Sequence, residues 1–304
     1  MLRNVWTVAK ETVSDWLSDD APRLAASLAF YTLLSLAPII VIAVSIAGLA
    51  FGPEAARGQI AGELGAIVGT DAAKGVETVV ASAKSPGSGT LATAVGIVTL
   101  FVGASGVFGE LQFALNRIWE VKAREGRGIW GEIKDRFFSF TMVLGVAFLL
   151  LVSLVLSAVL SAIGKGFTGL LPGGEAVWQL VNFAFSLAMV TGLFALIYKV
   201  VPDAEIHWAD VWPGALVTAL LFTIGKSLLG LYLGKASVGS SYGAAGSIVV
   251  LVIWVYYSAQ ILFLGAEFTQ VYTRRRGGEI KPTGKGERLN EGAQPPAESV
   301  ARHA

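Results

Sequence analysis

Four side chains crowd into PDAEIHWAD, residues 202–210: Asp203, Glu205, His207 and Asp210. Carboxylates and an imidazole at such spacing are the donor types of a hydrolytic metal site, in which the ion would activate a water molecule. The rest of the chain does not complete that site. The second of its two histidines is His303, near the end of the chain, and there is no cysteine. No metallohydrolase signature, P-loop, dinucleotide fingerprint or nucleophile elbow occurs. The expectation is therefore an acidic turn that caps a helix ahead of Pro213, with no catalytic residue, no metal and no cofactor.

A second polar set lies inside otherwise apolar runs. In ASLAFYTLLSLAP (26–38), Ser27, Tyr31 and Ser35 recur every four residues before Pro38. At about 100° per residue they share one helix face, and Pro38 frees the carbonyl of Leu34 and kinks that helix. Ser105, Gln112 and Asn116 fall on a second line, Tyr257, Gln260 and Glu267 on a third, and Lys226 stands alone. A polar group in hydrocarbon is costly unless it faces protein or water. Such residues either line a solute path or join helices through hydrogen bonds, as small residues such as Gly96, Gly103, Gly106 and Gly109 join them by close approach. The sequence leaves both readings open. For Lys226 the alternatives are a binding role and snorkelling to the nearer membrane face. For Glu110 and Glu267 the second alternative is contact with headgroups or with Arg117 and Arg274.

The elements that must position these groups follow from composition. The 304 residues are 54% hydrophobic and 15% charged, against about 25% charged in soluble domains. Six apolar runs long enough to cross a bilayer occur at roughly 24–51, 90–113, 138–164, 176–200, 210–233 and 245–271. The expected fold is an all-α membrane protein with six transmembrane helices. Residues 1–23 form an interfacial helix and 24–271 the transmembrane domain. Within that domain, 52–89 folds as amphipathic extracytoplasmic helices between helices one and two. Residues 272–304, rich in Gly, Pro and charge, form a disordered tail. The first run is too long for a signal h-region and is expected to stay in the mature protein.

The Lys/Arg distribution orients the chain. The N-terminus, 114–136, 199–210 and the tail together carry 17 Lys or Arg, and the segments 52–89, 165–175 and 234–244 carry 5. The positive-inside rule places both termini in the cytoplasm. Trp119, Trp130, Trp208 and Trp212 then fall at cytoplasmic headgroup level. With a net charge of +1, nucleic acid is not an expected partner. The basic block between helices two and three reads as a loop held near anionic headgroups.

Four stretches in fixed order carry a resemblance: ASLAFYTLLSLAP, ALNRIW (114–119), VPDAEIHWADVWPGAL (201–216) and SYGAAGSIVVLVIWVYYSAQILFLGAEF (241–268). Together they resemble the YihY/BrkB family of bacterial inner-membrane proteins over about residues 10–272. Lys226 and Tyr232 sit where that family has a lysine and a tyrosine. Asp203 departs from it, since the family often has asparagine there. The resemblance implies a multi-pass protein of the bacterial cytoplasmic membrane. The family was long labelled ribonuclease BN, a name belonging to a soluble metal-dependent tRNA nuclease, and this chain lacks the clustered His and Asp ligands such a nuclease needs. Members are associated with serum resistance and export of envelope lipid. The resemblance thus implies a transporter or lipid translocase but identifies no substrate; Lys226 as a counter-charge makes an anionic lipid or small molecule the expected substrate, with membrane lipids as partners. A non-transporting scaffold is the alternative, and a membrane-bound hydrolase the least supported reading.

Overall fold

The computed structural model describes residues 2–35, 106–124, 174–235, 246–284 and 286–289. Six helical stretches are present among them: α1 (Leu2–Ser18), α2 (21–35), α3 (106–118), α4 (Gly174–Val200), α5 (Trp208–Lys235) and α6 (Gly246–Arg275). Four short strands accompany them: β1 (Val121–Ala123), β2 (Ala204–Glu205), β3 (Lys281–Pro282) and β4 (Gly286–Arg288). Three stretches are long and apolar enough to cross a membrane: Trp178–Val200, Trp208–Leu229 and Ile248–Arg275. They coincide with the last three expected spans. The first two spans are described only through α2 and α3. The third span, the 52–89 segment, Pro38, Ser105 and Trp130 lie outside the described residues.

Local chemistry sets the helix boundaries. The turn between α1 and α2 puts Asp20 at φ 56°, a conformation an aspartate tolerates better than a branched residue. The carbonyl of Asp20 then accepts the N–H of Leu24, opening α2. Pro22 falls in that first turn, where a missing N–H costs nothing. His207 opens α5 by accepting from the N–H of Val211 at 3.1 Å, and Asp210 places its charge against the positive end of the helix. At the end of α6, Gly277 adopts φ 75°. The N–H of Gly278 reaches the carbonyl of Thr273 and that of Gly277 the carbonyl of Arg274, a Schellman closure that calls for glycine.

Helices α5 and α6 run antiparallel at close range because small residues face hydroxyls. A Cβ on Gly265 would collide with Thr218 and lie 2.6 Å from the Tyr198 hydroxyl. One on Gly214 would collide with Thr269, and one on Gly225 would lie 2.7 Å from Tyr257. Tyr198, on α4, donates to the carbonyl of Leu262 at 2.7 Å and lies 2.9 Å from Thr218 Oγ1. The main buried cluster is built around this seam. It takes Leu24 and Leu28 from α2, Leu115 and Ile118 from α3, Phe194 from α4, Val211 from α5 and Phe263 from α6.

The strands are the departure from an all-α fold. Pairing β1 with β4 is antiparallel with Lys122 opposite Glu287, and β2 pairs with β3 with Ala204 opposite Pro282. Residues 278–284 and 286–289 therefore fold back onto the helix ends, where a disordered tail was expected from 272. Low hydropathy misleads here because these residues gain backbone partners, not buried side chains. The N–H groups of Thr283 and Leu289 reach the carbonyls of Asp203 and Glu120. The N-terminal helix, the stretch after α3, the α4–α5 turn and the chain after α6 are thus gathered at one end, here termed the basic end. They are the four segments that share the cation excess.

Candidate functional site

Asp203 is the centre of the basic end. Its carboxylate accepts from Asn116 Nδ2 at 2.9 Å and from Gln112 Nε2 at 3.2 Å. Its own N–H donates to Asn116 Oδ1 at 2.7 Å. Asn116 and Gln112 lie one turn apart on α3, so both amides reach one carboxylate. Asp203 is buried, and charge-assisted bonds of this kind offset the desolvation of an ion. A cleft of about 450 Å³ opens beside it, lined among others by Gln112, Lys199, Asp203, Glu205, Trp208 and Thr283. A neighbouring cleft of about 580 Å³ shares Lys199 and Glu205 and adds His207, Glu279 and Lys281. Lys199 spans the turn, donating to the carbonyl of Ile206 at 2.6 Å and lying 6.0 Å from the Trp208 ring.

The four residues of the acidic turn do not converge. Asp203 is held by amides, Glu205 and His207 are exposed, and Asp210 lies 3.9 Å from Arg276. Among the described residues no group of three or more His, Cys, Asp or Glu is placed to hold a metal ion.

The intramembrane polar residues separate into local contacts. Gln112 and Asn116 meet at Asp203. Ser35 is buried, Ser27 half-buried and Tyr31 exposed. Tyr31 and Ser35 flank Gly106 of α3, at 3.6 and 3.8 Å from where its Cβ would be. Tyr257 packs against Gly225, Gln260 is half-buried and Lys226 is exposed on α5. Half-buried Glu110 stays on α3.

Two expectations change. Trp119 is buried, its ring edge-on to Tyr198 at 5.9 Å, because α3 ends inside the bundle; Trp208 and Trp212 are exposed as an interfacial pair should be. Glu267 reaches no headgroup and does not take Arg274. It is fully buried, while Arg274 binds Glu11 and lies 2.9 Å from Asp15 on α1. Arg275 donates to Glu11 from Nε at 2.8 Å. These guanidinium groups hold the Glu11 carboxyl below the usual carboxylate range. Arg117 donates to the backbone carbonyl of Asp19 at 3.2 Å and lies 3.9 Å from the Asp20 carboxylate. Burial pushes the Asp19 carboxyl up, against the pull of the Arg117 charge.

Sequence reasoning missed Tyr198, Thr218 and Asp19. Only the Gly and Thr spacing on α5 and α6, Gly214, Thr218, Gly265 and Thr269, carried a signal for the first two, as close-packing residues.

Apolar helices of spanning length, tied at one end by buried polar contacts, define a helical membrane protein. A profile of the Virulence factor BrkB family matches residues 12–290, and the chain belongs to that family. Among similar proteins is a UPF0761 membrane protein of Albidiferax ferrireducens, 28% identical over 266 residues, covering 86% of this chain and 61% of that protein. Another, from Pseudoalteromonas translucida, is 31% identical over 246 residues, covering 81% and 79%. A Bacillus subtilis protein named ribonuclease-like, YfkH, is 25% identical over 271 residues, covering 88% and 95%. The chain spans about three fifths of the first of these, 61% of its length. No solved structure matches.

Proposed function

We propose that this protein is a transporter or lipid translocase of the bacterial cytoplasmic membrane, acting on an anionic lipid or a related envelope substrate without a catalytic step of its own. The basic end, with both termini, faces the cytoplasm, following the cation excess. The observation that carries the reading is a contrast along the helices. At the basic end α2 to α6 are packed and hydrogen-bonded. Toward the other end, α4 residues 179–184 are exposed in unbroken sequence. Six consecutive residues at about 100° each go fully round a helix, so α4 has exposed residues on every side at that depth. Lys226 is exposed at the same level of α5: it lies as far beyond Trp208 as Asn182 lies before Val200, roughly 27 Å at 1.5 Å per residue. A cation at the depth of an exposed, amide-bearing stretch (Gln179, Asn182) matches the chemistry of an anionic headgroup.

The test uses the full chain in vesicles of zwitterionic and anionic phospholipid carrying a labelled anionic lipid in one leaflet. Protein-dependent exchange between leaflets is expected, with loss in Lys226→Met at unchanged thermal stability. Wild-type exchange in that variant would remove the lysine from the mechanism.

A second reading, a non-transporting scaffold, is favoured by Tyr198–Thr218 and Asn116–Asp203, where buried polar groups are spent on joining helices. Reconstituted protein that moves no lipid but co-purifies with one stoichiometric partner would select it.

A further inference from the structure

The turn between α4 and α5 leaves charges without partners. One spanning stretch ends at Val200 and the next begins at Trp208, so residues 201–207 lie at the membrane boundary of the basic end. The exposed Trp208 ring belongs to the headgroup layer there. Lys199 and Glu205 line both clefts, and Lys281 lines the larger. Glu205 and Lys281 stand opposite each other across the β2–β3 pair, and both are exposed. Opposite charges at such positions attract, yet neither side chain makes an ion pair among the described residues. Lys199 gives one of its three N–H donors to the Ile206 carbonyl and keeps two. The other carboxylates of the clefts are already held, Asp203 by Gln112 and Asn116, and Glu279 by Arg288. What remains is two ammonium groups and one carboxylate around volumes of about 450 and 580 Å³, the size of small-ligand sites.

We infer that the two clefts form a binding site for a phosphoethanolamine group, with the Lys199 and Lys281 ammoniums on its phosphate and the Glu205 carboxylate on its ammonium. A purely anionic ligand satisfies the lysines and is repelled by Glu205; a purely cationic one meets the reverse. A phosphate ester that carries a primary ammonium matches all three charges. Its ammonium also brings N–H donors for the carboxylate, which a quaternary ammonium lacks. His207, lining the larger cleft, adds a ring N–H to the phosphate side. The place of the clefts at headgroup level makes the bearer a membrane phospholipid, and the soluble phosphoamine shares the same chemistry. Trp208 lies roughly 27 Å along α5 from Lys226, so this site stands or falls independently of the transport reading.

The test titrates the purified full chain in detergent with short-chain phosphatidylethanolamine, phosphatidylglycerol and phosphatidylcholine, with bound lipid counted by native mass spectrometry. Wild type is expected to bind the ethanolamine lipid several-fold more tightly than the other two. Glu205→Gln should erase that preference by weakening the ethanolamine lipid alone. Lys281→Gln should weaken the ethanolamine and glycerol lipids alike, by several-fold. Both side chains are exposed and unpaired, so both variants should keep the wild-type unfolding temperature. Lys10→Gln removes an exposed cation of α1 outside the clefts and should leave binding unchanged. Competition by soluble phosphoethanolamine as strong as that of the lipid identifies a free ligand of the same chemistry, and weak competition identifies the lipid. The inference is overturned by equal binding of the three lipids to wild type, by a preference that survives Glu205→Gln, or by equal losses in Lys281→Gln and Lys10→Gln.

Discussion

Asn116 and Asp203 hold each other reciprocally. The Asn116 amide donates to the Asp203 carboxylate at 2.9 Å, and its carbonyl accepts the Asp203 N–H at 2.7 Å. One side chain thereby fastens α3 to the α4–α5 turn, and the turn in turn receives the Thr283 N–H from the chain that follows α6.

Asn116→Ala leaves a buried carboxylate with Gln112 alone and a backbone N–H without its partner. A loss of about 1–3 kcal/mol is expected, read as a lower unfolding temperature of the purified protein in detergent. Gln112→Ala should cost less, since its bond is longer at 3.2 Å and half-buried.

The α5–α6 seam makes a sharper comparison. Gly265→Ala forces a methyl against Thr218 and the Tyr198 hydroxyl, and overpacking of this kind costs about 1–3 kcal/mol. Gly109→Ala meets nothing within 4 Å and removes a helix-weakening glycine, so it should be neutral or stabilising by up to about 1 kcal/mol. Thermal unfolding of the two variants side by side checks both signs.

Docking of α1 has an acid limit. The folded-state pKa of Glu11 is depressed by Arg274 and Arg275, so its contribution is fully present above the unfolded-state value and fades as pH falls through the folded one. Wild type and Glu11→Gln should therefore differ in stability near neutral pH and converge in acid. Because these pairs are partly exposed, added salt should shrink the difference as well.

Ending the chain after Gly278 removes β3 and β4 together with the Thr283 bond to Asp203. Hydrogen exchange at residues 121–123 and 204–205 is expected to accelerate several-fold. Unchanged protection there would mean that the two small sheets do not hold these segments.

How much was legible differs residue by residue. Gln112 and Asn116 could be placed on one line of a helix by their spacing, and both meet at Asp203. Nothing in the spacing said that Asp203 was their target, since that contact joins residues 87 apart. Glu267 looked like a group at a helix end within reach of Arg274; the docking of α1 takes Arg274 for Glu11 and Asp15, and Glu267 is fully buried. Trp119 looked interfacial because hydropathy measures distance along the chain and not whether a helix ends inside the bundle.

By itself the sequence determined that this is a membrane protein, where its last three spanning helices lie, and which segments share one basic end. Those properties follow from a one-dimensional constraint: hydrocarbon admits only long apolar helices, and cations sort to one side. Only the tertiary structure decided which polar groups meet. A buried donor or acceptor is satisfied by whatever the packed helices bring within about 3 Å, and that depends on helix rotation and register across the whole bundle. The Asn116–Asp203 clasp and the Tyr198–Thr218 seam are both decided at that level.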